Sequence, residues 1–311
     1  MLVSLHVLAN AITFYILASL VTGNWTANSN GVSPVRWLAC LALPVFLASR
    51  SLRNHIVTSS GAIAVLQVGF VLTLANLSFA FCFGAYLFWF ELVRPQGYEP
   101  KTFLNILCEL GFALHLSIFH LIEIGNGTTA NSILGPEGPL DFRSNFLQTW
   151  LSISLMGSLS VSIGNSFYST LLQVNFNTFF KLYLKDFYFQ SCLKGGLIGT
   201  AYLTGVIIAA GGLTSIPQGR AFALAPNQLH IIGLSTAGGL FGAGWVSPLR
   251  ALIWPNVRIS DPPPPKGDHY GLYVLTSIIS GLLLPRFALA MDASELTFWN
   301  NLASLSIANA Q

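Results

Sequence analysis

Residues 57–93 read VTSSGAIAVLQVGFVLTLANLSFAFCFGAYLFWFELV, and Glu91 is the single charged residue in the stretch. A helix crosses a bilayer in about 20 apolar residues, so this run is too long for one crossing. Asn76 divides it into 57–75 and 78–93, two spans joined by a tight turn or a kink. Lipid offers nothing to an unpaired backbone N–H or C=O, so spans of this kind are helices.

The same rule, applied outward, gives seven more spans: 2–21, 35–49, 102–124, 146–170, 195–213, 228–250 and 270–291. The fold expected is all-α, a polytopic transmembrane bundle of nine spans. One multi-pass domain occupies 1–291, and 292–311 form a short tail. No Lys or Arg precedes the first span, and it exceeds the roughly 7–15 residues of a signal-peptide core, so it is read as a retained helix.

Composition agrees. Of 311 residues 53% are hydrophobic and 8% charged, against roughly 25% charged in soluble domains, and the mean hydropathy is +0.64. Too few polar groups exist to cover a water-facing surface. The partner implied is the lipid bilayer, and a net charge of +3 is too mild for a nucleic-acid binder. Cys40, Cys82, Cys108 and Cys192 show neither C-x-x-C nor zinc spacing and read as small apolar side chains.

Lys and Arg collect on the cytosolic side of membrane proteins. With the N-terminus in the cytosol, Arg50, Arg53, Arg94, Lys101, Lys181, Lys185, Lys194, Arg250, Arg258 and Lys266 face inward, and Arg36, Arg143, Arg220 and Arg286 outward. The sequon Asn24-Trp25-Thr26 then lies outside, where Asn24 is a glycosylation candidate.

Ionisable groups in a span cost several kcal/mol unless paired or watered, which marks them as functional candidates. The fifth span holds Glu109, His115, His120 and Glu123. At about 100° per residue Glu109, His120 and Glu123 share a face, with His115 turned away. Gly195-x-x-x-Gly199 and Gly238-x-x-x-Gly242 have the spacing that lets helices approach closely in lipid. Lys194-Gly195-Gly196 is placed at the cytosolic start of the seventh span, where free N–H groups, the positive helix end and an ammonium would cradle a phosphate.

Ser33-Pro34-Val35-Arg36-Trp37, Ser60-Gly61-Ala62, Val68-Gly69-Phe70 and Leu72-Thr73-Leu74-Ala75-Asn76-Leu77-Ser78-Phe79 resemble the transmembrane protein 19 family, which includes the phytyl-phosphate kinases. The family's Gly-Asp-Thr-Trp-Ala-Ser-Glu block corresponds to Gly164-Asn165-Ser166-Phe167-Tyr168-Ser169-Thr170, with both acids gone. Its Thr-Asn-Gly-Gly block corresponds to Leu193-Lys194-Gly195-Gly196. Its Val-Asp-Ser block corresponds to Trp245-Val246-Ser247, again without the acid. Its Leu-Asp-Asn-Asn block corresponds to Gly267-Asp268-His269-Tyr270, which keeps Asp268, and an Asn-Gly block falls at Glu109-Leu110.

The resemblance implies a cytosol-facing pocket in which Gly164, Asn165, Lys194, Gly195, Gly196 and Ser247 meet a phosphate or nucleotide. With most acids lost it implies a catalytically degenerate protein of an endomembrane such as the endoplasmic reticulum, retaining prenyl-phosphate or lipid binding. Two further readings are open. An active CTP-dependent prenyl- or phytyl-phosphate kinase would use Asp268 and Glu109 as catalytic or Mg²⁺-holding groups beside Lys194. A transporter or channel would use the fifth-span His and Glu residues as its ion path.

Overall fold

The computed structural model describes residues 34–92, 100–124, 146–160, 176–209, 226–253 and 269–308. Among the described residues are eight helices: α1 (Pro34–Arg53), α2 (Ser59–Ala75), α3 (Leu77–Leu92), α4 (Phe103–Glu123), α5 (Phe146–Ser160), α6 (Phe176–Ala209), α7 (Pro226–Ile253) and α8 (His269–Ala308). The chain is all-helical there, apart from a two-residue bridge between Val57 and Lys101. The first expected span, 2–21, and the sequon at Asn24 lie outside the described residues.

Local chemistry sets the helix ends. Pro34 opens α1, where its fixed φ suits a first helical position and its missing N–H costs nothing. Thr58 caps α2 by accepting from the Gly61 N–H at 3.1 Å. Asn76 is extended (φ −159°, ψ 137°) and its N–H bonds Leu72 O, closing α2. Its side-chain oxygen accepts from the Ser78 N–H at 2.9 Å, opening α3. The two helices fold back on each other: a Cβ on Gly69 would lie 3.2 Å from the Phe83 ring, and these residues are equally far from Asn76. Asn76 is therefore a turn.

One expectation is corrected. The stretch 174–194, read as a loop, is helical from Phe176 onward. Lys181, Lys185 and Asp186 interrupt the hydropathy, but no Pro or Gly interrupts the backbone before Gly195. In the tail, residues 292–308 are helical and continuous with α8.

Neighbouring helices alternate in direction. Arg50 near the end of α1 meets Glu91 near the end of α3, and Thr58 before α2 meets Lys101 before α4. Helix α6 runs opposite to α3: Gly205 packs on Ser78, Ile198 O accepts from Cys82 and Lys194 reaches Tyr86. It also opposes α7, with Gly195 against Ser235 and Gly199 against Ile232.

The core is apolar around α2, α3 and α4, and hydroxyl-rich where α5, α7 and α8 meet. Ser158 and Ser277 lie 2.6 Å apart. The Ser280 hydroxyl donates to Gly157 O at 3.1 Å and is 3.0 Å from Gly238 O. Segments 103–123 and 270–290 are long and apolar enough to cross a membrane; 59–75, 77–92 and 231–245 are shorter apolar helices.

Candidate functional site

A small polar cluster is built where α1 and α3 end and α2 and α4 begin. Lys101 reaches it from the backbone outward. His55, at φ 52°, turns the chain after α1. The Lys101 N–H then bonds Ile56 O, and the Thr58 N–H bonds Lys101 O, both at 2.9 Å. A side chain on Gly61 would strike the Lys101 carbonyl oxygen, so glycine at 61 is what lets this strand-like pairing close over the first turn of α2.

Held there, the Lys101 side chain points into the bundle. Its ammonium lies 2.5 Å from Glu109 Oε2, with both side chains 1% exposed. The Tyr86 hydroxyl donates to the same carboxylate oxygen and stands 3.3 Å from the lysine Nζ. The ammonium also sits 3.4 Å from the centre of the Phe90 ring, a cation–π contact. Burial pushes the Lys101 ammonium below the ordinary lysine range, and Glu109 opposes that shift.

Lys194 on α6 joins from the other side. Its Nζ lies 4.9 Å from the Tyr86 ring centre and 5.3 Å from that of Phe90, and the side chain is buried. Lys194 shares the Tyr86 and Phe90 rings with Lys101. The cluster thus holds two amines, one carboxylate and one phenol. The second carboxylate oxygen, Glu109 Oε1, and Asn105 Oδ1 one turn away on α4 are buried without a hydrogen-bond partner.

Glu109 and Lys194, both singled out in the sequence, are therefore brought together. Lys101 and Tyr86 carry no comparable mark: Lys101 looks like a loop lysine anchoring a span end, and Tyr86 like part of an apolar run. Gly195 and Gly196 are corrected. Helix α6 begins at Phe176 and runs through them, so their N–H groups belong to the helix ladder rather than to a free N-terminus. What they supply is closeness: a Cβ at Gly195 would strike Ser235 O, and one at Gly196 would sit 3.4 Å from Thr236 Oγ1.

His120 is fully buried, edge-on to Phe79 at 5.1 Å, while Glu123 is exposed. Burial separates these two residues of one expected face. His115 is exposed and bonds Gly111 O at 2.6 Å. Gly164, Asn165 and Asp268 lie outside the described residues, and Ser247 lies on α7 with its side chain outside them. Among the described residues no three His, Cys, Asp or Glu side chains group to hold a metal. No disulfide joins the four cysteines.

On the opposite face of α3 a half-open groove of about 420 Å³ runs between α1, α3 and α6. An ion pair closes one end, with Arg50 Nε 3.0 Å from Glu91 Oε2. The chain matches no protein-family model, and no solved structure is similar to it.

Proposed function

We propose that this chain is a nine-span membrane protein with a cytosolic N-terminus, and that its Lys101–Glu109–Tyr86–Lys194 cluster binds the phosphate of a prenyl or phytyl lipid without transferring it. The observation that carries this reading is the composition of the cluster, in which two buried lysine amines and a phenol hydroxyl converge beside one carboxylate. Amines and a phenol are the donors that phosphate oxygens accept in charge-assisted hydrogen bonds.

Membrane residence is supported by an inverted polarity. On α8, Thr276, Ser277 and Ser280 are buried, while Val274, Leu275, Leu282, Phe287 and Leu289 are exposed. Water would select the reverse arrangement; lipid selects this one, with hydroxyls linking helices inside. Helix α1 likewise exposes Leu38, Leu41, Val45 and Phe46. In the proposed orientation the lysine cluster lies at the cytosolic end.

Membership in the transmembrane protein 19 family rests on the motif blocks quoted above. The same blocks argue against catalysis, because Asn165, Thr170 and Val246 stand where the family has acids, and phosphoryl transfer relies on acids to hold Mg²⁺. Glu109 is poorly suited to replace them, since Lys101 and Tyr86 already occupy one of its oxygens. Nor does the fifth-span set form an ion path: Glu109 is ion-paired, His120 packs on Phe79 and Glu123 is exposed.

The test is a titration of the purified chain with a prenyl monophosphate and with its parent alcohol. The phosphate should bind more tightly. Lys194→Met should weaken phosphate binding about tenfold or more, the effect of one charge-assisted bond of roughly 1.5–3 kcal/mol, and leave the alcohol unchanged. Equal affinity for phosphate and alcohol would sink the binding site. Turnover with CTP and Mg²⁺ would overturn the absence of transfer. Glycan at Asn24 that endoglycosidase removes would support the endoplasmic-reticulum location and the outward sequon.

A further inference from the structure

The groove between α1, α3 and α6 is a second site, built differently from the lysine cluster. Its walls are apolar: Leu43, Phe46 and Leu47 from α1, and Ala80, Gly84 and Phe88 from α3. Its polar end is the bidentate Arg50–Glu91 pair, in which Arg50 Nη2 lies 3.1 Å from Glu91 Oε1 and Asn54 Nδ2 donates to that same oxygen at 2.8 Å. The guanidinium also stands 5.8 Å from the Phe88 ring centre, which holds it over the groove mouth.

Dimensions and charge together select an occupant. The lining of α3 runs from Ala80 to Glu91, roughly 16 Å of helix rise, or about half the roughly 30 Å hydrocarbon core. A groove that opens at one interface and ends near mid-membrane has the length of one leaflet. The mouth offers a cation and an anion side by side. Beyond its two bonds to Glu91, Arg50 has donors left, for a guanidinium carries five N–H groups. Glu91 accepts three hydrogen bonds, two from Arg50 and one from Asn54, and a carboxylate has about four acceptor positions.

We propose that this groove binds one chain of a glycerophospholipid with a primary-amine headgroup, its phosphate on the open side of Arg50 and its ammonium on the remaining acceptor position of Glu91. A choline headgroup has no N–H to give Glu91, and an anionic headgroup without an amine would leave Glu91 facing a like charge. The inference rests on the membrane reading above but not on prenyl-phosphate binding.

The experiment uses the full chain in vesicles of equal phosphatidylethanolamine and phosphatidylcholine, followed by native mass spectrometry from mild detergent. Wild type should retain one phosphatidylethanolamine. Arg50→Gln should lower the retained fraction about tenfold, one charge-assisted hydrogen bond's worth. Gly84→Trp should abolish retention by filling the groove. It should also fold, since a Cβ there meets only Leu47 Cδ2, at an ordinary 3.7 Å, and Gly84 lines the groove, whose roughly 420 Å³ give the indole room. Both variants should bind prenyl phosphate as wild type does. Equal retention of phosphatidylcholine, or phosphatidylethanolamine retained by Gly84→Trp, would overturn the proposal. Alkaline carbonate separates the two failures. Extraction of the chain from membranes would overturn the membrane reading, whereas a carbonate-resistant chain carrying no phosphatidylethanolamine would overturn the groove alone.

Discussion

Replacing Glu109 by Gln should cost the fold far more than replacing either lysine that faces it. The carboxylate pairs with Lys101, 2.5 Å away, and Lys194 stands over the same Tyr86 and Phe90 rings. Without it the Lys101 ammonium stays buried with its ion pair broken, and breaking a buried ion pair from one side costs about 3–5 kcal/mol. Lys101→Met is milder, because Glu109 keeps the Tyr86 hydroxyl and a second ammonium nearby; about 1–2 kcal/mol is expected. At roughly 2–4 °C per kcal/mol, the melting temperature should fall by about 6–20 °C for Glu109→Gln and by about 2–8 °C for Lys101→Met. Cys40 and Cys82 are fully buried, so with the part-exposed Cys108 and Cys192 replaced by Ala in every variant, a thiol-reactive dye reads unfolding directly on heating in detergent. Equal losses in the two variants would mean an isolated pair that Lys194 does not share. A Glu109→Gln protein melting with wild type would mean the carboxylate compensates nothing.

Three further outcomes follow from the packing. Gly195→Ala and Gly239→Ala should each destabilise by about 2 kcal/mol or more, since the added Cβ strikes backbone of Ser235 or Ser191. Gly233→Ala, which meets nothing within 4 Å, should gain about 0.5–1 kcal/mol from helix propensity, and the same dye assay ranks all three. His55→Gly should be neutral to about 1 kcal/mol stabilising, because the residue sits at φ 52°, where a Cβ is strained; a drop in melting temperature would contradict this. In sealed microsomes, whose outer surface is the cytosolic face, an impermeant maleimide should modify a cysteine placed at exposed His55 at once, and miss one placed at exposed Glu123 until the membrane is opened. The same accessibility at both positions would break the alternation of α1–α4.

The helices were legible in the sequence because pairing the backbone of an apolar run is a local demand. A run of apolar residues kept from water must pair its own backbone, so hydropathy alone marks α2, α3 and α4 as helices, and Asn76 is visible as the one residue able to divide 57–93. Where charge enters a helix without breaking it, the same signal misleads: Lys181, Lys185 and Asp186 made a loop of what is the first half of α6. Glycine spacing at 195 and 199 disclosed a close helix contact. It also invited a phosphate cradle, because a loop before Gly195 would have left N–H groups free, and the extension of α6 removes them.

The site was half legible, and the missing half is instructive. Glu109 betrays itself, since a carboxylate in a span must find a partner, but that argument names the need and not the residue that meets it. Lys101 meets it through a hydrogen-bonded pairing to Thr58, 43 residues earlier, which depends on Gly61 lacking a side chain. A lysine at a span end is ordinarily an interface anchor whose amine snorkels to water. Here the backbone pairing fixes its Cα above the bundle, and the nearby carboxylate, phenol and Phe90 ring compensate the buried amine. The same local sequence would give an exposed anchor if residue 61 carried a Cβ. The geometry of the cluster is therefore encoded as much in that glycine as in the charged residues themselves.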